Sequence, residues 1–292
     1  MINFLKSFLS LIRVQHYIKS IFIFAPLFFS GKIVEADLLL SSFIAFLAFS
    51  FAASSIYVLN DYLDVEHDRL HPKKKNRPLA SGFLSKKQGV VIMALLFSLS
   101  CILLSFLSMK STLIVMTYVL LNVAYSFYLK HIAILDVTVI AIGFVLRLLL
   151  GAVATEISLS SWIVVMTFLL AMFLALAKRR DDVLIYQKTG KRMRKVIDGY
   201  NLRLLDTAMA IMASVVIVSY IAYTTSVEVM NRLGSEYLYI TCLFVIVGIM
   251  RYLQIIYVYF DSGSPTKILL KDFFIQIVII GWVAAFILLI YA

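Results

Sequence analysis

Three aspartates at helical spacing are the part of this sequence best suited to chemistry. Asp61, Asp64 and Asp68 would share one face of a helix, with Asn60 beside them. Like charges on one face repel each other, and a helix C-terminus also disfavours negative charge. A divalent cation relieves both effects, and Mg²⁺ combines carboxylate ligands with substrate phosphates. We therefore predict that the three aspartates are catalytic and hold a metal, with Asn60 contacting substrate; a solvated acidic helix end is the alternative.

A basic stretch bounded by prolines follows directly. Pro72 and Pro78 enclose a segment that contains Lys73 and Arg77, and its cations would face the same polar region as the carboxylates. A diphosphate substrate requires carboxylates that hold a metal ion and, beside them, cations that bind the phosphate oxygens. We predict that Lys73 and Arg77 bind substrate, while membrane orientation alone is the competing explanation for the lysines.

Other candidate substrate-binding residues lie in three later segments. One segment combines acidic and basic residues, as the aspartate motif and its basic stretch do. In another, a tyrosine and a lysine lie near a short loop. In the third, one arginine lies inside an apolar run. Because a charge within the membrane is costly, that arginine is either functional or a structural partner for another polar residue. These candidates are Lys178, Arg179 and Asp182, then Tyr125 and Lys130, and finally Arg147.

Composition excludes most protein classes. Hydrophobic residues make up 62% of the 292 residues and charged residues 15%, with a mean hydropathy of +0.98. A soluble protein of this size could not bury so much apolar surface, so a soluble enzyme, a disordered chain and a secreted disulfide scaffold are excluded. Cys101 and Cys242 lie in apolar runs and are predicted to face lipid or the core. The net charge of +11 suggests basic cytoplasmic loops and no nucleic-acid partner.

The apolar runs predict an all-α polytopic membrane protein. A bilayer core of about 30 Å needs roughly 20 apolar residues per helix. The sequence is expected to form one transmembrane domain over residues 1–292, with polar loops near 60–88 and 178–204. Nine spans are predicted, at 18–31, 39–59, 89–107, 111–129, 133–154, 159–177, 205–225, 236–258 and 273–291.

The distribution of Lys and Arg predicts the orientation. The N-terminal segment and both long loops are rich in these residues, whereas Lys32, Lys110 and Arg232 lie on the other side of the predicted spans. Cytoplasmic loops carry the excess of positive charge. We therefore expect a multi-pass protein of the cytoplasmic membrane with its active site and N-terminus facing the cytoplasm and its C-terminus outside.

The aspartate motif with its basic loop resembles the first motif of the UbiA superfamily of intramembrane prenyltransferases. Five stretches look closest to one branch, the decaprenyl-phosphate phosphoribosyltransferases, and together they cover nearly the whole chain. They are Arg13–Lys19, His71–Gly82, Gly143–Arg147, Leu176–Asp182 and Ser264–Asp272. The resemblance implies nine helices around a central cavity that cytoplasmic loops cap.

The resemblance also implies an activity: Mg²⁺-dependent transfer of phosphoribose from phosphoribosyl pyrophosphate to a polyprenyl phosphate in the lipid bilayer. Asp182 stands where this branch usually has Glu, and the spaced acid pair of aromatic prenyltransferases is missing from the same stretch. Prenyl transfer to an aromatic or other lipophilic acceptor is the main alternative, and a transporter is a third. Whether copies of the chain form a homo-oligomer stays open.

Overall fold

The computed structural model describes residues 2–70, 74–190, 195–259 and 265–291. This part of the chain contains α-helices and 3₁₀ segments and no strands. The α-helices are α1 (Ile2–Ile12), α2 (Ala25–Phe29), α3 (Ala36–Leu63), α4 (Val65–Leu70), α5 (Lys86–Leu104), α6 (Met109–Phe127), α7 (Leu135–Thr155), α8 (Ser161–Thr189), α9 (Leu202–Thr224), α10 (Val227–Leu233), α11 (Cys242–Tyr257), α12 (Pro265–Lys271) and α13 (Phe273–Tyr291). The 3₁₀ segments are Val14–Phe24, Lys74–Asn76, Leu129–His131, Lys195–Gly199 and Leu238–Thr241.

Among the described residues, 8 helices are long and apolar enough to cross a membrane. They are α3, α5, α6, α7, α8, α9, the segment Leu238–Tyr257 and α13. The first predicted span corresponds to a shorter apolar helical segment, Val14–Phe29. The all-α membrane fold is confirmed, whereas the count of nine spans stays a prediction.

The chain divides into two compact units. The first unit comprises residues 1–127 and 146–158, and the second comprises residues 128–145 and 159–292. Helix α7 therefore contributes its beginning to the second unit and its end to the first. That the whole chain is one domain stays a prediction.

In the first unit, α5, α6, α1 and the 3₁₀ segment Val14–Phe24 pack on α3. The buried face of α3 carries small residues such as Ala48 and Ala52, and small residues let membrane helices approach closely. Ser100 on α5 donates a hydrogen bond to the carbonyl of Ala48 at 2.7 Å. Helix α5 begins at a capping box in which Ser85 and Gln88 satisfy each other's backbone N–H groups. This packing fixes the end of α3, where the aspartates lie.

In the second unit, α8 packs along α9, and α11 contacts both α9 and α13. Arg180 on α8 donates to Asp206 Oδ1 on α9 at 2.6 Å and to the carbonyl of Ile256 on α11 at 3.2 Å. Its guanidinium also lies 4.9 Å from the ring centroid of Tyr257. Arg180 therefore holds three helices together, because a buried cation must keep its partners.

Helix α8 is longer than the sequence predicted. The span was expected to end at residue 177 and a loop to begin at 178, but α8 continues to Thr189. Lys and Arg are good helix formers, so polar residues alone do not end a helix. The helix ends where Gly190 adopts a left-handed conformation with a φ of 66°. The first part of the second polar segment, residues 178–189, is therefore an extension of α8, and residues 191–194 of the predicted loop lie outside the described residues.

Gly151 permits a close approach of α7 to the 3₁₀ segment in the first unit. A Cβ atom at this position would lie 1.9 Å from the carbonyl oxygen of Ile23. We expect Gly151→Ala to lower the thermal unfolding temperature in detergent by several degrees, since overpacking typically costs about 1–3 kcal/mol. Gly248→Ala is the matched control, because its Cβ would meet only Val278 Cγ1 at 3.4 Å. Equal unfolding temperatures for both variants would contradict this explanation.

Candidate active site

Two buried aspartates contact one arginine at the end of α3. Asp61 lies in the last turn of α3 and Asp68 lies in α4, with side chains 3% and 2% exposed. Arg77 Nη1 donates to Asp61 Oδ1 at 3.0 Å and to Asp68 Oδ2 at 2.6 Å. Lys74 Nζ lies 3.8 Å from Asp68 Oδ1. These ion pairs explain how two carboxylates remain buried, because an isolated buried charge is very unfavourable.

Asp64 occupies the junction between α3 and α4. Its N–H donates to the carbonyl of Asn60 at 3.0 Å, and its carbonyl accepts from the N–H of Asp68 at 2.8 Å. These bonds continue the helical path, so Asp61 and Asp68 reach the same arginine. The side chain of Asp64 is half-buried and is not among the ion pairs of Arg77.

Asp64 is the C-cap residue of α3 and lies between Asp61 in α3 and Asp68 in α4. Within the described ranges, no group of three His, Cys, Asp or Glu side chains is arranged to hold a metal. The metal and catalytic roles of all three aspartates stay predictions.

The geometry of Asp61 and Asp68 fits a shared cation. A single atom, Arg77 Nη1, lies within hydrogen-bonding distance of an oxygen of each carboxylate. Its positive charge thus lies between the two acids. Mg²⁺ usually binds through one or two carboxylates and completes its shell with water and phosphate oxygens. The donor set suits that ion if Arg77 turns from the carboxylates to a phosphate.

Arg13 contacts the buried aspartates' site although it was not among the predicted site residues. Its Nη2 donates to Asp61 Oδ1 at 2.5 Å, and its guanidinium lies 4.9 Å from the ring centroid of Tyr57. The backbone of Arg13 has a φ of 53°, which is left-handed and uncommon for a residue other than glycine. Such backbone strain clusters at functional sites. The signal available in the sequence was its place in the Arg13–Lys19 stretch.

A second buried network lies in the second unit. Arg179 Nε donates to Asp136 Oδ2 at 2.5 Å, and its Nη1 donates to Asp182 Oδ2 at 2.9 Å. The Tyr200 hydroxyl donates to Asp136 Oδ1 at 2.6 Å and accepts from the N–H of Ile134 at 2.7 Å. Burial, and then the hydrogen bond to Asp136, raise the pKa of the Tyr200 phenol. Tyr200 therefore keeps its proton and remains a donor to Asp136.

This network changes the interpretation of the second polar segment. Arg179 is 1% exposed and pairs with both Asp136 and Asp182, and its predicted contact with substrate stays a prediction. Substrate binding by Asp182, which pairs with Arg179 at 2.9 Å, likewise stays a prediction. Lys178 is exposed on the same helix, and its predicted contact with substrate stays a prediction.

Arg147 is buried in the part of α7 that belongs to the first unit. It is 4% exposed, and its guanidinium lies 4.5 Å and 5.2 Å from the ring centroids of Phe49 and Tyr118. Aromatic faces attract a cation, more strongly when water is excluded. The structure thus holds Arg147 within an apolar span in a defined orientation.

The remaining predicted residues are less constrained. Asn60 and Tyr125 are half-buried in the first unit, and Lys130 is half-buried in the second. Lys73 lies outside the described residues. Substrate binding by these four residues stays a prediction.

The comparisons with known proteins agree on one family. The sequence profile described as the UbiA prenyltransferase family matches residues 20–278. A decaprenyl-phosphate phosphoribosyltransferase from Mycolicibacterium smegmatis is 30% identical, covering 96% of this chain and 91% of that protein. A protein of the same name from Corynebacterium glutamicum is 29% identical, covering 99% of this chain and 88% of its own length.

The fold has a close counterpart among solved structures. A UbiA homologue from Archaeoglobus fulgidus bound to DMAPP and Mg²⁺ matches with a TM-score of 0.72. The match covers 98% of this chain and 99% of that one, at 18% sequence identity. At this identity the match shows a shared fold.

Proposed function

The chain belongs to the UbiA prenyltransferase family, and we propose that this integral membrane transferase moves 5-phosphoribose from phosphoribosyl pyrophosphate to a polyprenyl phosphate. The products are a polyprenyl-phosphoryl-5-phosphoribose and diphosphate. The observation that carries the proposal is the nearly full-length similarity to two proteins named decaprenyl-phosphate phosphoribosyltransferase. The buried acids and cations of the first unit support it, because both the donor and the leaving group are anionic.

The cations beside Asp61 are suited to the diphosphate. Arg77 offers a planar guanidinium that can contact two phosphate oxygens at once, and Lys74 adds a second charge nearby. Both side chains already contact carboxylates, so the phosphate oxygens of a diphosphate can replace the carboxylate oxygens as their acceptors. Asp61 and Asp68 would then hold Mg²⁺, with Asp64 close to them in sequence. When bound, the metal neutralises charge on the leaving diphosphate.

The transfer forms one bond and breaks one. A phosphate oxygen of the lipid attacks C1 of ribose, and the bond from C1 to the diphosphate oxygen breaks with its electron pair leaving on diphosphate. The second pKa of a phosphate monoester is about 6, so the acceptor is mostly ionised at neutral pH. No side chain is needed as a general base. The transferase therefore has to bind, orient and neutralise charge.

We also propose that the site faces the cytoplasm, with the N-terminus inside and the C-terminus outside. Lys75 and Lys110 are both exposed and lie on opposite sides of the predicted spans. Lys75→Cys is expected to react with a membrane-impermeant thiol reagent only after cells are opened, whereas Lys110→Cys should react in intact cells. The reverse pattern would contradict the proposed sidedness.

Donor competition tests the proposed function. Purified protein with Mg²⁺ and labelled phosphoribosyl pyrophosphate should label a polyprenyl phosphate, and an excess of unlabelled donor should suppress the label. A prenyl diphosphate should compete poorly, because it lacks the second phosphate end. If the protein instead prenylates an aromatic acid and ignores phosphoribosyl pyrophosphate, prenyl transfer to a lipophilic acceptor becomes the function.

A further inference from the structure

Arg147 is costly to keep where it lies. It is a cation inside an apolar span of the first unit, 4% exposed and placed over Phe49 and Tyr118. These two rings also contact each other, with centroids 4.4 Å apart. Ionisable residues in such positions usually serve substrates or ions. The rings fix the guanidinium in one orientation, which reduces the entropy lost when it binds a ligand.

Further positive charge converges on the same region. The hydroxyl of Tyr57 is under the electrostatic influence of Lys19, Arg147 and Arg13. The guanidinium of Arg13 also lies over the ring of Tyr57 at 4.9 Å. Arg13 is paired with Asp61, so an anionic ligand in this region would chiefly relieve the repulsion between Lys19 and Arg147.

Tyr57 connects this region to the two carboxylates. Tyr57 and Asp61 are four residues apart on α3 and therefore lie on the same face of the helix. Arg13 contacts both residues. The cationic region thus continues directly from the end of α3 where the diphosphate is proposed to bind.

We propose that Arg147, Lys19 and Tyr57 form a subsite for a phosphate monoester. The inference rests on the proposed function and deepens it. Phosphoribosyl pyrophosphate carries a 5-phosphate at the end opposite its diphosphate, and a polyprenyl phosphate carries the same group at its head. A prenyl diphosphate places hydrocarbon at the corresponding end, where buried cations are unfavourable. The subsite therefore selects a phosphorylated donor or acceptor over a prenyl diphosphate.

The arginines of α8 are less suited to binding a phosphate. Arg179 is engaged by Asp136 and Asp182, and Arg180 by Asp206. Freeing Arg179 for a ligand would leave the buried carboxylate of Asp136 uncompensated, and Arg180 also donates to the carbonyl of Ile256. We therefore assign the phosphate monoester to Arg147 and Lys19 in preference to the arginines of α8.

Direct binding tests the subsite without turnover. Equilibrium binding to the detergent-solubilised full chain is measured for ribose 5-phosphate and for polyprenyl phosphate. Ribose and polyprenol serve as the uncharged counterparts. Arg147→Gln is expected to weaken binding of at least one phosphate compound about tenfold or more, the typical cost of a lost charge-assisted contact. Binding of the uncharged counterparts should not change.

Two further variants keep the test decisive. Lys19→Gln changes a half-buried side chain and should weaken the same compound if Arg147→Gln fails to fold. Arg251→Gln is the matched control, since Arg251 also lies in an apolar span but pairs with Asp272 at 2.8 Å in the second unit. It should bind both phosphate compounds like the wild type.

The compounds also identify the source of the phosphate. A loss confined to ribose 5-phosphate assigns the subsite to the donor, and a loss confined to polyprenyl phosphate assigns it to the acceptor. Equal losses for phosphorylated and uncharged compounds, or unchanged binding in both variants, would overturn the proposal. Because none of these results requires transfer, they remain valid even if the donor of the reaction proves to be another diphosphate.

Discussion

Asp68→Asn is expected to remove nearly all transferase activity. The substitution keeps the shape of a side chain that is 2% exposed but removes the charge that pairs with Arg77 at 2.6 Å. Losing one preorganised charge partner at a reacting centre typically costs roughly 10²–10³-fold in kcat. Activity should be measured across Mg²⁺ concentrations, and we expect the variant to lose its response to added metal as well.

Glu66→Gln is the matched control for this substitution. Glu66 lies on α4 as well, two residues from Asp68, but it is exposed and pairs with Arg69 at 3.2 Å. The Glu66→Gln variant makes the same carboxylate-to-amide change and should retain wild-type activity. Thermal unfolding separates lost chemistry from lost folding, because breaking a buried ion pair can cost about 3–5 kcal/mol. A folded Asp68→Asn variant with normal turnover, or wild-type turnover in EDTA, would disprove the metal role.

Arg77→Gln is expected to lower kcat/KM for the diphosphate donor roughly tenfold to 100-fold, the cost of losing one charge-assisted contact. The effect should fall mainly on the donor, with little change in the KM of the lipid acceptor. Arg77→Lys should recover part of the loss, because lysine keeps the charge but not the planar pair of donors. Titrating donor and acceptor separately at saturating Mg²⁺ distinguishes these effects.

Arg69→Gln provides the control for Arg77. Arg69 is an exposed arginine that pairs with Glu66 and donates from Nε to the carbonyl of Ala80 at 3.3 Å. It precedes the proline-bounded basic segment, and its ion pair is with Glu66 and not with Asp61 or Asp68. A donor KM that is equally affected by both variants would indicate a general electrostatic effect, which contradicts a specific role for Arg77.

The membrane fold was accessible from the sequence because apolar runs of about 20 residues have few other interpretations. Helix ends were harder to predict. The polar residues after Ala177 suggested a loop, yet α8 extends to Thr189 because Lys, Arg and Asp remain compatible with a helix that leaves the apolar layer. The end of that helix is decided locally by Gly190.

The candidate site was predictable only where it depends on local spacing. The interval between Asp61 and Asp68 places both acids on one side of a helical path, and Arg77 follows nine residues after Asp68. The partner of Arg13 could not be predicted, because Asp61 is 48 residues away. The partner of Arg179 could not be predicted for the same reason, since Asp136 is 43 residues away. Ion pairs between distant residues depend on packing that no local pattern encodes.

The mass of the lipid product tests the central claim most directly. Purified protein is incubated with Mg²⁺, phosphoribosyl pyrophosphate and a polyprenyl phosphate, and the lipid fraction is analysed by mass spectrometry. We predict a new lipid that has gained one 5-phosphoribosyl group, with one diphosphate released for each lipid converted and neither product formed by Asp68→Asn. An unchanged lipid phosphate, while the same protein attaches a prenyl group to an aromatic acid, would contradict the proposed transfer.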